Sequence, residues 1–97
     1  MDILYKFEDE EFVWNDKKAR NNRGKHGVTF QEACEVFLDP FHQGGDASDN
    51  FEDRQFVIGF SLKRRILVVV YIERGERTRI ISARKATNEE RRVYEEA

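Results

Sequence analysis

Seven apolar residues in succession, Ile66 to Ile72, constrain the fold more than any other stretch of this chain. A bilayer-spanning helix takes roughly 20 residues, so the run is too short for one. It reads as a strand covered on both faces. Glu73-Arg74-Gly75-Glu76 follows as a hairpin turn, because Gly75 can take a positive φ. Arg77 to Arg84 is then the returning strand. Upstream, Arg54 to Phe60 reads as a third strand with Phe56, Ile58 and Phe60 on one face. The turn between them, Leu62 to Arg64, lacks Gly, Asn and Pro.

The first half supplies the layer that such a strand needs. Ile3 to Phe7 alternates apolar and polar residues, as a short strand does. Asn15 is a good N-cap, and Asp16 sits favourably in the first turn of the helix it opens. Trp14 and Ala19 are placed for a hydrophobic staple. This helix is predicted from Asp16 to about His26, ending at Gly27 as its C′ residue. Lys18, Asn22 and Lys25 share one of its faces. Thr29-Phe30-Gln31-Glu32 is a capping box for a second helix, whose Phe30, Ala33, Cys34 and Phe37 fall at core spacing. Asp39-Pro40 ends it. Residues 39–53 form a polar, acidic segment read as a loop, either functional or simply exposed. Thr87-Asn88-Glu89-Glu90 is a second capping box, for a helix to about Glu96. The predicted order is β-α-α-β-β-β-α, an α+β domain with a mainly antiparallel sheet, and 97 residues make one domain spanning residues 1–97.

Charge is distributed unevenly. Residues 1–53 hold 6 Lys/Arg against 13 Asp/Glu, and residues 54–97 hold 11 against 6, for a net charge of −2. The excess of acid argues against non-specific nucleic-acid binding by the whole surface, while leaving room for a basic cleft built from the second half. The single cysteine, Cys34, cannot form an internal disulfide and fits a reducing compartment. With no secretory pattern at the N-terminus and no membrane-length apolar run, a cytoplasmic location is expected. His26, His42 and Cys34 lack metal-ligand spacing, and neither a metal nor a cofactor is expected. No helix-turn-helix pattern is visible, so direct DNA recognition is not expected.

Arg79 to Arg84 spends strand positions on guanidinium, which suits an anion or an acidic partner. Strand alternation puts Arg79 and Arg84 on opposite faces, unless the strand ends or bulges between them. In the second case both can face one cleft.

Taken in order, several stretches resemble the BrnT family of toxins from bacterial type II toxin–antitoxin systems. They are Phe12-Val13-Trp14-Asn15-Asp16 with Lys18, Ala19 and Asn22; Lys25-His26-Gly27-Val28 with Phe30, Ala33 and Phe37; and Asp53-Arg54 with Gly59. Arg65 with Leu67 to Tyr71, and Arg79 to Arg84 with Ala86, Glu90, Arg91 and Tyr94, complete the set. Residues 39–53 do not match. The resemblance implies a RelE-like fold and an endoribonuclease that cuts RNA without a metal. It also implies neutralisation by a BrnA-like, DNA-binding antitoxin, through which alone the toxin would meet DNA.

Such cleavage needs a base for the 2′-hydroxyl, cations for the phosphate and an acid for the leaving oxygen. Arg65 and Arg84 are the candidate catalytic cations, with His26 as the titrating group near neutral pH. Glu52 and Glu90 are candidate bases, and Tyr94 a proton donor or stacking platform. Lys18, Lys25, Arg54 and Arg79 are candidate phosphate contacts. Structural readings stand beside these: His26 as a helix cap, Arg84–Glu90 as a clamp, Tyr94 as core. Arg84→Ala and Arg65→Ala are expected to relieve toxicity without unfolding. The other reading is a non-catalytic module whose basic sheet face docks an acidic partner.

Overall fold

A computed structural model describes residues 1–50 and 52–97, so residue 51 of the predicted 39–53 loop lies outside the described residues. The predicted elements occur in the predicted order, with two short strands added. The strands are β1 (Asp2–Phe7), β2 (Glu10–Asn15), β3 (Gln43–Asp46), β4 (Gln55–Phe60), β5 (Ile66–Arg74) and β6 (Arg77–Lys85). The helices are α1 (Asp16–His26), α2 (Phe30–Glu35), continued by a 3₁₀ turn Val36–Leu38, and α3 (Asn88–Glu96). One sheet takes the order β1-β2-β6-β5-β4-β3, antiparallel except where β2 runs parallel to β6.

The added β2 comes from Phe12 and Trp14, which alternate inward while Glu11 and Val13 point outward. Its register with β1 pairs Ile3 with Trp14 and Tyr5 with Phe12. The added β3 is QGGD, a poor strand sequence. It forms because Gly45 lets β4 approach: a Cβ there would lie 2.4 Å from the Phe56 ring. Part of the predicted 39–53 loop is therefore an edge strand.

The helical layer covers one face of the sheet. Its core joins Phe12, Trp14, Val57, Leu67, Val69, Ile80 and Ala83 from the sheet to Val28, Phe30, Ala33, Cys34 and Val36. Trp14 packs edge-on to Phe30 with centroids 5.8 Å apart, and Phe37 meets Tyr71 at 4.9 Å. On β4 the core takes Val57, while the predicted row of Phe56, Ile58 and Phe60 shares the opposite face. There Ile58 and Val68 are buried and Phe60 is exposed. β5 is thus apolar on both sides, as its composition requires.

A β-bulge decides the geometry of β6. Val70 pairs with Ser82 and Tyr71 with Ile80, leaving Ile81 without a partner on β5. The extra residue shifts alternation by one, so Ile80 and Ala83 both reach the core. Their neighbours Arg79 and Arg84 accordingly share the outer face.

Local signals behave as their chemistry dictates. Asn15 caps α1 by accepting from the Lys18 N–H, and Gly27 closes it at φ 68°. Thr87 and Glu90 form the full capping box of α3. At α2 only half the predicted box forms: the Thr29 hydroxyl accepts from the Glu32 N–H, but the Glu32 side chain turns elsewhere. α1 has little apolar surface and is pinned by Asn22. Its amide donates to the carbonyls of Val28 (3.0 Å) and Ala83 (2.8 Å) and accepts from the Ala83 N–H (3.2 Å). Asn22→Ala leaves these buried groups unpaired and is expected to cost about 2–3 kcal/mol, to be read from urea denaturation.

Candidate active site

The sheet has two chemically different ends. At one, β5 begins and β6 finishes, so Leu67 pairs with Lys85 and Val68 with Arg84. At the other, Arg74 pairs with Arg77 across the Gly75 turn, where φ is 62°. Seven residue steps separate Leu67 from Arg74, roughly 23 Å at about 3.3 Å per residue. The second end carries Asp9, Glu10, Glu11, Glu73 and Glu76 around a shallow depression. The first end holds a cleft of about 260 Å³ lined by Phe60, Arg64, Arg65, Ile66, Lys85, Ala86 and Arg91. Four of those residues are cationic and none is acidic.

Arg65 lines this cleft, and its Nε and Nη2 are both engaged. Its guanidinium donates to both carboxylate oxygens of Glu32, including Nε to Oε2 at 2.9 Å, and to the Gly27 carbonyl at 3.1 Å. Glu32 is 2 % exposed. Ser61 Oγ donates to the same carboxylate at 2.7 Å. Burial alone would raise the Glu32 pKa, but the Arg65 and Ser61 hydrogen bonds outweigh it and hold the carboxyl below its ordinary range. This pair joins α2, the end of α1 and the β4–β5 turn.

Arg84 approaches the same end from the outer face. Its two terminal nitrogens donate to the two Glu90 oxygens at 2.7 and 2.9 Å, a bidentate fork. Glu90 also accepts from the Thr87 N–H at 2.8 Å. The Arg84 fork is the largest influence on Glu90, which titrates at about 2. A carboxylate held that low is a poor proton acceptor. In this state Glu90 caps α3 and orients Arg84.

His26 is the last residue of α1, directly before the Gly27 carbonyl that Arg65 binds. It is half-buried and makes no hydrogen bond or ion pair among the described residues. Lys25 beside it is exposed and likewise unpaired. Tyr94 lies further along α3 and donates its hydroxyl to Asp39, which also accepts the Phe60 N–H at 2.8 Å. Burial and the Asp39 carboxylate push Tyr94 up to about 12.

The fold places Arg65 in the lining of the cleft, Arg84 with Glu90 on the outer face at the same end, and Lys25 and His26 at the close of α1 beside the Gly27 carbonyl that Arg65 binds, with Tyr94 further along α3. It does not bring in the remaining candidates. Glu52 accepts from Arg54 at 2.9 Å and Arg74 at 3.5 Å, toward the far end of β5. Arg79 is on the outer face but is clamped to Asp2 at 2.5 Å. Lys18 lies in the first turn of α1, about 10 Å of helix away from Lys25. Three lining residues, Arg64, Lys85 and Arg91, were missed as site candidates. The turn without Gly and the strand-to-helix junction both marked the place, but nothing in the sequence joined them. Among the described residues no three His, Cys, Asp or Glu side chains are arranged to hold a metal ion, and no helix is long and apolar enough to cross a membrane.

Comparison with known proteins gives the chemistry a context. A family model described as "Ribonuclease toxin, BrnT, of type II toxin-antitoxin system" matches residues 14–90. The chain is similar to the 1.1 Å crystal structure of the Brucella abortus ribonuclease toxin BrnT, with 26 % identity and a TM-score of 0.60. That match covers 77 % of this chain and 94 % of the other. No curated protein sequence matches the chain.

Arg65→Ala strands the buried Glu32 carboxylate, and is expected to cost about 3–5 kcal/mol in urea denaturation; Glu32→Leu combined with Arg65→Met recovers most of the loss. Any drop in activity of Arg65→Ala alone would then accompany unfolding. Glu90 has its folded pKa depressed from 4.5 to about 2. Its contribution to stability is complete above about pH 4.5 and is lost as the pH falls toward 2. Glu90→Gln should flatten that part of an acid titration followed by far-ultraviolet circular dichroism.

Proposed function

Because the chain belongs to the family of BrnT ribonuclease toxins of type II toxin–antitoxin systems, we propose that it cuts RNA at the cationic cleft, by metal-free attack of the 2′-hydroxyl on the adjacent phosphate. The observation that carries this reading is the cleft itself, four cations without a lining carboxylate; His26, next to the Gly27 carbonyl that Arg65 binds, has no partner among the described residues. A bound phosphodiester would be held by Arg64, Lys85 and Arg91. His26 takes the proton of the 2′-hydroxyl. The oxygen attacks phosphorus, the bond to the 5′-oxygen breaks, and the products are a 2′,3′-cyclic phosphate and a free 5′-hydroxyl. The 5′-oxygen collects its proton from the returning imidazolium or from water. Arg84, fixed by Glu90, faces the negative charge that develops on the phosphoryl oxygens. Glu52, Arg54 and Arg79 have no part in this chemistry.

The toxin would act on cytoplasmic RNA and be held in check by an antitoxin of the BrnA type, with DNA contacted only through that partner. A second reading has an observation of its own. Arg65, Arg79 and Arg84 are all ion-paired internally, and beside the cleft Phe60, Leu62 and Val93 are 43 %, 76 % and 57 % exposed. A module that only docks a partner would look like this too.

Purified protein incubated with single-stranded RNA and a chelator separates the two. Cleavage with cyclic-phosphate ends is expected, and His26→Ala should slow it by roughly 10²- to 10⁴-fold with an unchanged circular dichroism spectrum. Intact RNA alongside tight binding of the antitoxin would support the docking module instead.

A further inference from the structure

We propose that Arg64 is a substrate-gripping residue of the cleft, a guanidinium that a left-handed backbone presents to an RNA phosphate; this rests on the ribonuclease reading above. The β4–β5 hairpin closes through the Ser61 N–H on the Arg65 carbonyl and the Arg64 N–H on the Ser61 carbonyl, both 2.9 Å. Leu62, Lys63 and Arg64 form a three-residue loop. The last residue of such a loop takes positive φ and is ordinarily glycine. Here it is arginine, at φ 63°. Among the described residues only Glu8 shares this condition, in the β1–β2 turn at φ 55°.

The backbone at this position is held from both sides. Ser61 Oγ accepts from the Arg65 N–H at 3.3 Å, and Glu35 accepts from the Leu62 N–H at 3.0 Å. The Arg65 side chain is locked to Glu32 and Gly27. Nothing in the hairpin can relax to ease residue 64, so an unfavourable residue type stands where glycine would be accommodated without strain.

The Arg64 side chain itself has no internal task. It is exposed, lines the cleft with Lys85 and Arg91, and forms no ion pair or side-chain hydrogen bond among the described residues. The adjacent Arg65 is the contrast, with its fork spent on Glu32. Of the two arginines on this hairpin, Arg64 is the one whose whole fork is unpaired among the described residues, whereas Arg65 has only Nη1 left. A planar fork without a partner, in a cleft with no lining carboxylate, fits a phosphodiester oxygen pair.

The test compares wild type with Arg64→Gly, Arg64→Asn and Arg64→Lys. Glycine and asparagine both tolerate the left-handed region. The probe is a single-stranded 2′-O-methyl RNA, which cannot be cleaved because its 2′-oxygen carries no proton. Arg64→Gly is expected to melt at or above the wild-type temperature. It should bind the probe about tenfold more weakly, and the slope of log affinity against log salt should shrink by about 0.7, the value of one single-strand phosphate contact. Arg64→Asn should show the same change in slope. Arg64→Lys should keep the slope and part of the affinity, and on cleavable RNA the glycine variant should raise KM more than it lowers kcat. Wild-type affinity and slope in Arg64→Gly, with wild type still cleaving RNA, would overturn the proposal and leave the ribonuclease reading standing. Weaker binding with an unchanged slope in both Arg64→Gly and Arg64→Asn would also overturn it. Wild type that neither binds nor cuts RNA would overturn both.

Discussion

The pair of buried Glu32 and half-buried Arg65 is the contact on which the cationic end of this molecule depends. Glu32 is carried by the first turn of α2, Arg65 by the residue before β5, and the Arg65 Nη2 that binds Glu32 also holds the Gly27 carbonyl at the end of α1. Ser61 completes the carboxylate's shell from the hairpin. Charges taken out of water at this cost persist only when each is fully matched, and removing one partner leaves the other stranded. The pair therefore acts as a three-way junction, and the cleft is the surface that junction supports. Its arginine is structural first, which frees the neighbouring arginine for a ligand.

Around this junction the chain sorts its charges by position along the strands. Acidic residues of both halves gather where β1 meets β2 and β5 meets β6, Asp9, Glu10 and Glu11 beside Glu73 and Glu76. Three basic residues without an ion pair among the described residues, Arg64, Lys85 and Arg91, line the cleft at the other end. A net charge of −2 thus coexists with a cleft that is locally all cationic. An anionic substrate would be drawn to one end and repelled from the other. The arrangement also keeps the two clamps apart: Arg84–Glu90 fixes α3 at the cleft, while Arg79–Asp2 ties β6 to the edge strand β1.

Much of the framework was legible beforehand because it is local. Asn15, Gly27, Thr87 and Gly75 act within a turn or a cap, so residue type alone announces them. The apolar run from Ile66 announces its burial for the same reason. The strands β2 and β3 were not legible. One was hidden in the approach to a helix, and the other in a glycine pair whose merit is the room it leaves for Phe56. The face assignment of Arg79 and Arg84 turned on the bulge at Ile81, which a sequence can allow but not place. Glu32 was readable as a helix-capping residue, and only its partner 33 positions away decided that its carboxylate would do something else.

The sequence by itself determined the elements, their order, their caps and the presence of a basic second half, because those depend on neighbours within a few residues. It also carried a family likeness over nearly its whole length. Only the tertiary structure decided which of ten candidate residues meet. Arg65 lines the cleft, Arg84 and Glu90 stand at that end on the outer face, and Lys25 and His26 close α1 beside it, because α1 ends, β5 begins and β6 finishes at the same end of the sheet. Glu52, Arg54 and Arg79 lie a strand's length away, toward the other end. Tertiary contacts also decided which charges are spent. An ion pair consumes an arginine's donors without leaving a trace in sequence, and whether Arg64 or Arg65 remains available to a phosphate is settled by a carboxylate on a different helix.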